Sequence, residues 1–169
     1  YQKVLDSVYT QSPKTMLTSL LEGSNRYGRK TAFVYNFDEP IPDSLRHPKP
    51  YLVVTDIDLP HSLEKIFDLK RSMFLQLASP ATLTDITEVA AIEYAVKYSG
   101  SKVIIVLANG NSRIIGAACD NVQTGNFEGI ASQLSKAMSS TQEFADRSSA
   151  NKAYVNAIAQ NQAILSAVK

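Results

Sequence analysis

AAIEYAVKYSGSKVIIVLANGNSRIIGAA, residues 90–118, is the stretch that decides the fold. Its middle, KVIIVL at 102–107, is β-branched and uninterrupted, which predicts a strand. Upstream, Ile86, Val89, Ala90, Ile92, Tyr94 and Val96 fill most of the surface of a helix that opens at Thr84. Asp85 and Glu88 sit where the helix dipole favours anions, and Gly100 ends the helix. Downstream, ANGNS at 108–112 is a polar turn around Gly110, and residues 114–119 begin another helix. Helix, strand, loop and helix in this order are the unit of a parallel sheet with helical crossovers.

The same alternation extends outward. YLVVT at 51–55 is a short continuous apolar run, the pattern of a strand buried on both faces, and MFLQL at 73–77 is a second strand. A short helix is expected over 60–68. Near the start, Ser12 followed by Pro13 reads as an N-cap with proline at the first helical position. Met16, Leu17, Leu20 and Leu21 then form a stripe on a helix expected to end around Gly23. Pro40, Pro42, Pro48 and Pro50 make residues 36–50 a loop. Ile130, Leu134 and Met138 mark a helix over 127–138. Tyr154, Ile158, Ile164 and Val168 mark a last one over 149–168, after a break at residues 139–141. The expected fold is α/β, a mostly parallel central sheet flanked by helices. Residues 1–169 form one domain, with 1–30 a helical arm and 145–169 the C-terminal helix. In such sheets ligands sit beyond the carboxyl ends of the strands, here the polar loops at 56–60 and 108–112.

Composition narrows the function. The 17 basic and 16 acidic residues leave a net charge of +1, so no global field gathers nucleic acid or an acidic membrane. A hydrophobic fraction of 44% excludes a disordered chain. The longest apolar runs fall far short of the ~20 residues of a bilayer span, so no membrane insertion is expected. The one cysteine, Cys119, rules out an internal disulfide and a multi-cysteine zinc site. The chain opens on Tyr1 rather than Met, so its N-terminus is expected to be processed or trimmed. The compartment is therefore left open; an unpaired cysteine favours the cytoplasm without excluding export.

Several stretches carry a family resemblance. LLEGSNRY at 20–27 is similar to an early LxxGNxRF-like helix, and YLVVTDIDLP at 51–60 to a strand running into a Cys-x-Asp-x-Arg loop. IFD at 66–68 matches a tripeptide behind that loop. Residues 90–118 match SLEYAV…LGVKxIVVxGHxxCGAVxAA almost without gaps, and residues 154–166 resemble an NVxxQVxxL helix more loosely. Together these resemble the β-class carbonic anhydrases. The resemblance implies that family's fold and a dimer whose sheets and N-terminal helices cross between subunits. It also implies a further edge strand after the last helix, for which residues 149–169 carry no pattern.

The departures fall on the chemistry. The family holds zinc with Cys, His and Cys, beside an Asp–Arg pair. Counting back from IFD places Asp56 at the first Cys, Asp58 at the Asp and Pro60 at the Arg. Asn109 falls at the His and Ser112 at the second Cys. Only Asp58 keeps the family's residue, and the family's RNAG reads LASP here, at 77–80. A borderline-soft ion needs thiolate and imidazole ligands, and Asn and Ser are poor substitutes. Without the metal, water keeps its bulk pKa and no hydroxide nucleophile forms near neutral pH. Carbonic anhydrase activity is expected to be absent, with no catalytic residues, no metal and no cofactor.

The remaining candidates have ordinary readings. Asp58 reads as a solvated loop carboxylate or a cap for the 60–68 helix. Asp56, Asp58 and His61 spell D-x-D-x-x-H, which suits either a harder metal or helix-dipole partners. His47 lies among prolines and is expected to be exposed. Cys119 reads as a small buried residue, Lys70 and Arg71 as a solvated pair. Ser112 has no activating histidine in its pattern, and the single Gly110 makes a weak anion loop. The expected function is a non-catalytic structural or interaction subunit, in a homodimer or hetero-complex with protein partners. The alternative is an anion- or bicarbonate-binding sensor, or an enzyme reusing the old pocket with a different metal or none.

Overall fold

A computed structural model describes residues 10–31 and 49–168. The elements in chain order are α1 (Pro13–Gly28), β1 (Tyr51–Asp56), α2 (Leu63–Phe67), β2 (Phe74–Ser79), α3 (Ile86–Tyr98), β3 (Val103–Leu107), α4 (Arg113–Cys119), α5 (Phe127–Ser139) and α6 (Lys152–Ala167). Single 3-10 turns at Arg71–Met73 and Pro80–Thr82 bracket β2. The three strands form a parallel sheet in the order β2-β1-β3, flanked by helices. All three expected strands are present, and β1, in the middle, is buried at every position, as its continuous apolar run requires. The chain packs as two compact units, whose boundaries fall at 52/53, 75/76 and 104/105 in the strands and at 59/60 and 90/91 between them.

In the first unit, Ser12 caps α1 by accepting from the Thr15 amide at 3.2 Å, and Pro13 opens the helix. The helix does not end at Gly23; it continues to Gly28. Gly23 is there because a Cβ would lie 1.7 Å from the Phe67 carbonyl oxygen. The glycine records a close backbone approach rather than a helix stop. Beside that contact, Arg26 Nε donates to Asp68 Oδ2 at 2.5 Å, and Asp68 closes α2 in the left-handed region at φ 51°. Met16, Leu20, Leu63, Phe67, Phe74 and Tyr51 are buried, and the Tyr51 hydroxyl donates to the Met16 carbonyl at 3.2 Å.

α3 begins at Ile86, two residues later than Thr84. Thr84 is buried, and the cap is Asp85, whose carboxylate accepts from the Thr87 amide while Glu88 accepts from the Asp85 amide. That reciprocal pair is a capping box. The helix buries only Ala95, leaving Ile86 81% and Tyr98 68% exposed, with Tyr94 and Val96 exposed between them.

The second unit holds a core of Leu83, Ile115, Leu134, Tyr154, Val155 and Ile158, with alanines between them. α6 is shorter than the expected 149–168 because Ser149 is engaged elsewhere. Its amide and hydroxyl donate to the Asp120 carboxylate at 2.8 and 2.5 Å, and Asn151 caps the helix instead. His47 and the start of the expected N-terminal arm lie outside the described residues.

Gly23→Ala is expected to destabilise the protein by about 1–3 kcal/mol or more in chemical denaturation, because the new methyl meets backbone. Gly28→Ala, with nothing within 4 Å, is expected to be neutral or to stabilise by up to about 1 kcal/mol.

Candidate functional site

The polar loops after β1 and β3 meet. Asp58, two residues past β1, has a side chain only 9% exposed. Its Oδ1 accepts from Asn109 Nδ2 at 2.6 Å, and its Oδ2 accepts from the Arg113 backbone amide at 2.7 Å. Arg113 Nε lies 3.6 Å from the same Oδ2, on a side chain that is otherwise exposed. The carboxylate therefore joins one loop to the other and satisfies a first-turn donor of α4, where the dipole favours an anion. Asp58 is neither solvated nor a cap for the helix that follows it, α2. It serves a helix 55 residues further on, which makes both expected readings of this residue wrong.

Asn109 is buried and fully occupied: its Nδ2 donates to Asp58, and its Oδ1 accepts from the Asn111 amide at 3.2 Å. Ser112 is the N-cap of α4, its Oγ accepting from the Ile115 amide at 3.3 Å. Gly110 between them is packed tightly, since a Cβ there would lie 2.3 Å from Asn156 Oδ1. No left-handed glycine loop cradles an anion here.

Asp56, at the end of β1, is 2% exposed. Its Oδ1 accepts from the Ala81 amide at 3.1 Å, in a turn where Ala81 and Thr82 both have positive φ (51° and 57°). That bond helps to hold two L-residues in a region costly for side chains with a Cβ. Asp56 Oδ2 is buried and has no hydrogen-bond partner among the described residues. Burial, and secondarily the neighbouring Asp58 charge, push the Asp56 carboxyl above the ordinary carboxylate range; the Ser112 hydroxyl and Ala81 amide oppose the shift.

The structure thus brings Asp56, Asp58, Asn109 and Ser112 into one polar cluster. Pro60 and His61 are exposed, and His61 packs edge-on to Tyr27 in the first unit. Lys70 and Arg71 are both exposed, and Arg71 Nε also lies 3.6 Å from Oε1 of the buried Glu64. Cys119 is half-buried, its thiol pushed up to about 11 by burial and then by Asp120. The Ala81 and Arg113 backbone amides were missed by sequence reasoning, because main-chain donors leave no trace in residue identity.

The cluster does not fit a zinc ion. Its donors are carboxylate, amide and hydroxyl oxygens, and all but Asp56 Oδ2 are engaged with protein donors. Among the described residues no group of three or more His, Cys, Asp or Glu side chains could hold a metal ion. No helix among them is long and apolar enough to cross a membrane. No protein-family model and no curated protein matches the chain.

The folded state holds the Asp56 proton more tightly than the unfolded chain. The stability this lends is complete below about pH 4, the ordinary carboxylate value. It is lost as pH rises through the raised native value. Asp56→Asn mimics the protonated acid. It is expected to gain stability relative to wild type as pH rises from 4 to 7, in urea unfolding followed at each pH.

Proposed function

We propose that this chain is a β-carbonic-anhydrase-like protein that has lost its zinc site and works as a non-catalytic interaction subunit. The observation that carries the reading is the 2.6 Å hydrogen bond between Asp58 and Asn109. The gapless count puts these residues at two of the family's site positions, and they meet at the ends of β1 and β3. The strand order, with β1 between β2 and β3, agrees with a sheet whose ligand loops follow those two strands.

The cluster's chemistry supports the loss of catalysis. Asp56, Asn109 and Ser112 offer neither thiolate nor imidazole, so nothing there lowers the pKa of a water to make hydroxide near neutral pH. An anion-binding use has less support, since bicarbonate would meet two carboxylates, Asp56 and Asp58. A harder cation would have to displace the protein donors already on Asp58 and Asn109.

The surface supports a protein partner. Leu17 and Leu21 on α1 are exposed, as are Ile86, Tyr94, Val96 and Tyr98 on α3. Scattered single apolar residues on a surface need no explanation; runs of them on two helices mark contact surfaces. The partner is a second copy of the chain or another subunit of a hetero-complex.

Purified protein is expected to contain no stoichiometric zinc and to leave carbon dioxide hydration at the buffer rate. One zinc held per chain in elemental analysis would overturn the reading of the site. In sedimentation, the wild type is expected to run as a dimer or within a complex, and Leu17→Asp with Leu21→Asp to release a folded monomer. A wild type that is monodisperse, monomeric and captures nothing from its own cell extract would remove the interaction reading.

A further inference from the structure

A cavity of about 320 Å³ lies in the second unit, lined by Leu83, Gln133, Lys136, Gln162, Leu165 and Val168. It is distinct from the Asp56–Asp58 cluster, shares no residue with it and does not depend on the reading of that site. Its lining comes from α5, from α6 and the residue after it, and from Leu83, which follows the turn after β2. Three features define what would fit.

The wall is aliphatic on one side, where the buried Leu83, the half-buried Leu165 and, at the open rim, the exposed Val168 offer branched side chains. The buried Gln162 is held in place: its Nε2 donates to Ser166 Oγ at 3.0 Å, and that hydroxyl donates to the Thr82 carbonyl at 2.7 Å. The Gln162 side of the cavity is therefore held before any ligand arrives. The third feature is charge. Among the described residues Lys136 is the one charged residue of the lining, no acidic side chain lines the cavity, and no ion pair engages the Lys136 ammonium. Gln133, one turn before Lys136 on α5, adds an amide that can donate to an oxygen at the mouth.

We propose that this cavity binds a short-chain aliphatic monocarboxylate, its chain against Leu83, Leu165 and Val168 and its carboxylate at Lys136 and Gln133. The volume is at the small end of ligand pockets, which suits a molecule of about eight heavy atoms, such as a six-carbon acid. One cation without an acidic neighbour selects one negative charge. The aliphatic side of the cavity favours a hydrocarbon body over a sugar or a nucleotide, whose hydroxyls would be left unpaired against it.

Hexanoate is the probe, titrated into the full chain with the methyl resonances of Leu83, Leu165 and Val168 followed by NMR. These resonances are expected to shift saturably, with a dissociation constant on the order of 1 mM. Lys136→Gln, an exposed position whose change leaves the core alone, is expected to weaken binding about three- to tenfold. Hexanol, of the same length without the charge, is expected to bind more weakly than hexanoate by a similar factor. The absence of saturable shifts at these methyls overturns the site. Equal affinity for hexanol, or no effect of Lys136→Gln, overturns the assignment of a carboxylate. A spectrum of Lys136→Gln that overlays on the wild type away from the cavity keeps either result free of a folding defect.

Discussion

One carboxylate, that of Asp58, ties together the ends of two strands that are 51 residues apart from loop to loop. Its two oxygens take one side-chain amide from the partner loop and one backbone amide from the first turn of α4. Both bonds are charge-assisted and short, the kind worth roughly twice a neutral hydrogen bond. Because the carboxylate is nearly buried, they also carry its desolvation: with either donor removed, a negative charge would remain in a place poor in water. The rest of the cluster follows from this tie. Asn109 must point its nitrogen at Asp58, so its oxygen turns back to Asn111. The chain then enters α4 with Ser112 as cap, and Gly110 must be small because Asn156 packs on the turn.

Such a cluster holds two loops together without a metal, but more weakly. A structural zinc contributes roughly 10–16 kcal/mol of apparent binding energy in small metal-folded domains. A few charge-assisted hydrogen bonds contribute about 1.5–3 kcal/mol each. The difference matters less in a chain whose core does not need a staple. Ile115, Leu134, Tyr154, Val155 and Ile158 pack α4 and its neighbours from behind the loops. Loops that only need to be closed can be closed by hydrogen bonds; loops that must activate water cannot.

The sheet was legible from sequence because its signal is local, although burial is complete in β1 alone and β2 and β3 are partly exposed. YLVVT has no charged residue, and the Thr55 hydroxyl accepts from Gln76 Nε2, so β1 reads as a strand buried on both faces, and it is. The polar positions were legible as a place, since α/β topology sends ligand loops to one end of the sheet, but not as a wiring diagram. Asp58 looks like a cap for the helix that follows it in sequence and instead serves a helix that follows it in space. Gly23 has the same ambiguity: a glycine after a helical stripe reads as a stop, whereas here the backbone of Phe67 occupies the space a methyl would need. Ser149 looked like a helix start and is drawn to Asp120. Asp58 acts as an acceptor, Gly23 as a residue without a side chain and Ser149 as a donor, and in each case the tertiary partner decided the use.

The exposed face of α3 follows a different logic. Thirteen residues are marginal for a helix standing on propensity alone, since isolated helices shorter than about 12–15 residues are barely stable in water. The Asp85–Glu88 capping box and the Tyr94–Tyr98 pair, with rings 5.4 Å apart one turn from each other, supply local support. Local support accounts for the helix but not for its composition. Polar residues at Ile86, Tyr94, Val96 and Tyr98 would hold the same backbone and cost less exposed apolar surface. Ala95, the one buried residue of α3, shows how little of the helix the chain's own packing requires to be apolar. These exposed apolar side chains are what the proposed contact with a protein partner rests on, and that support is independent of whether the Asp58 cluster descends from a zinc site.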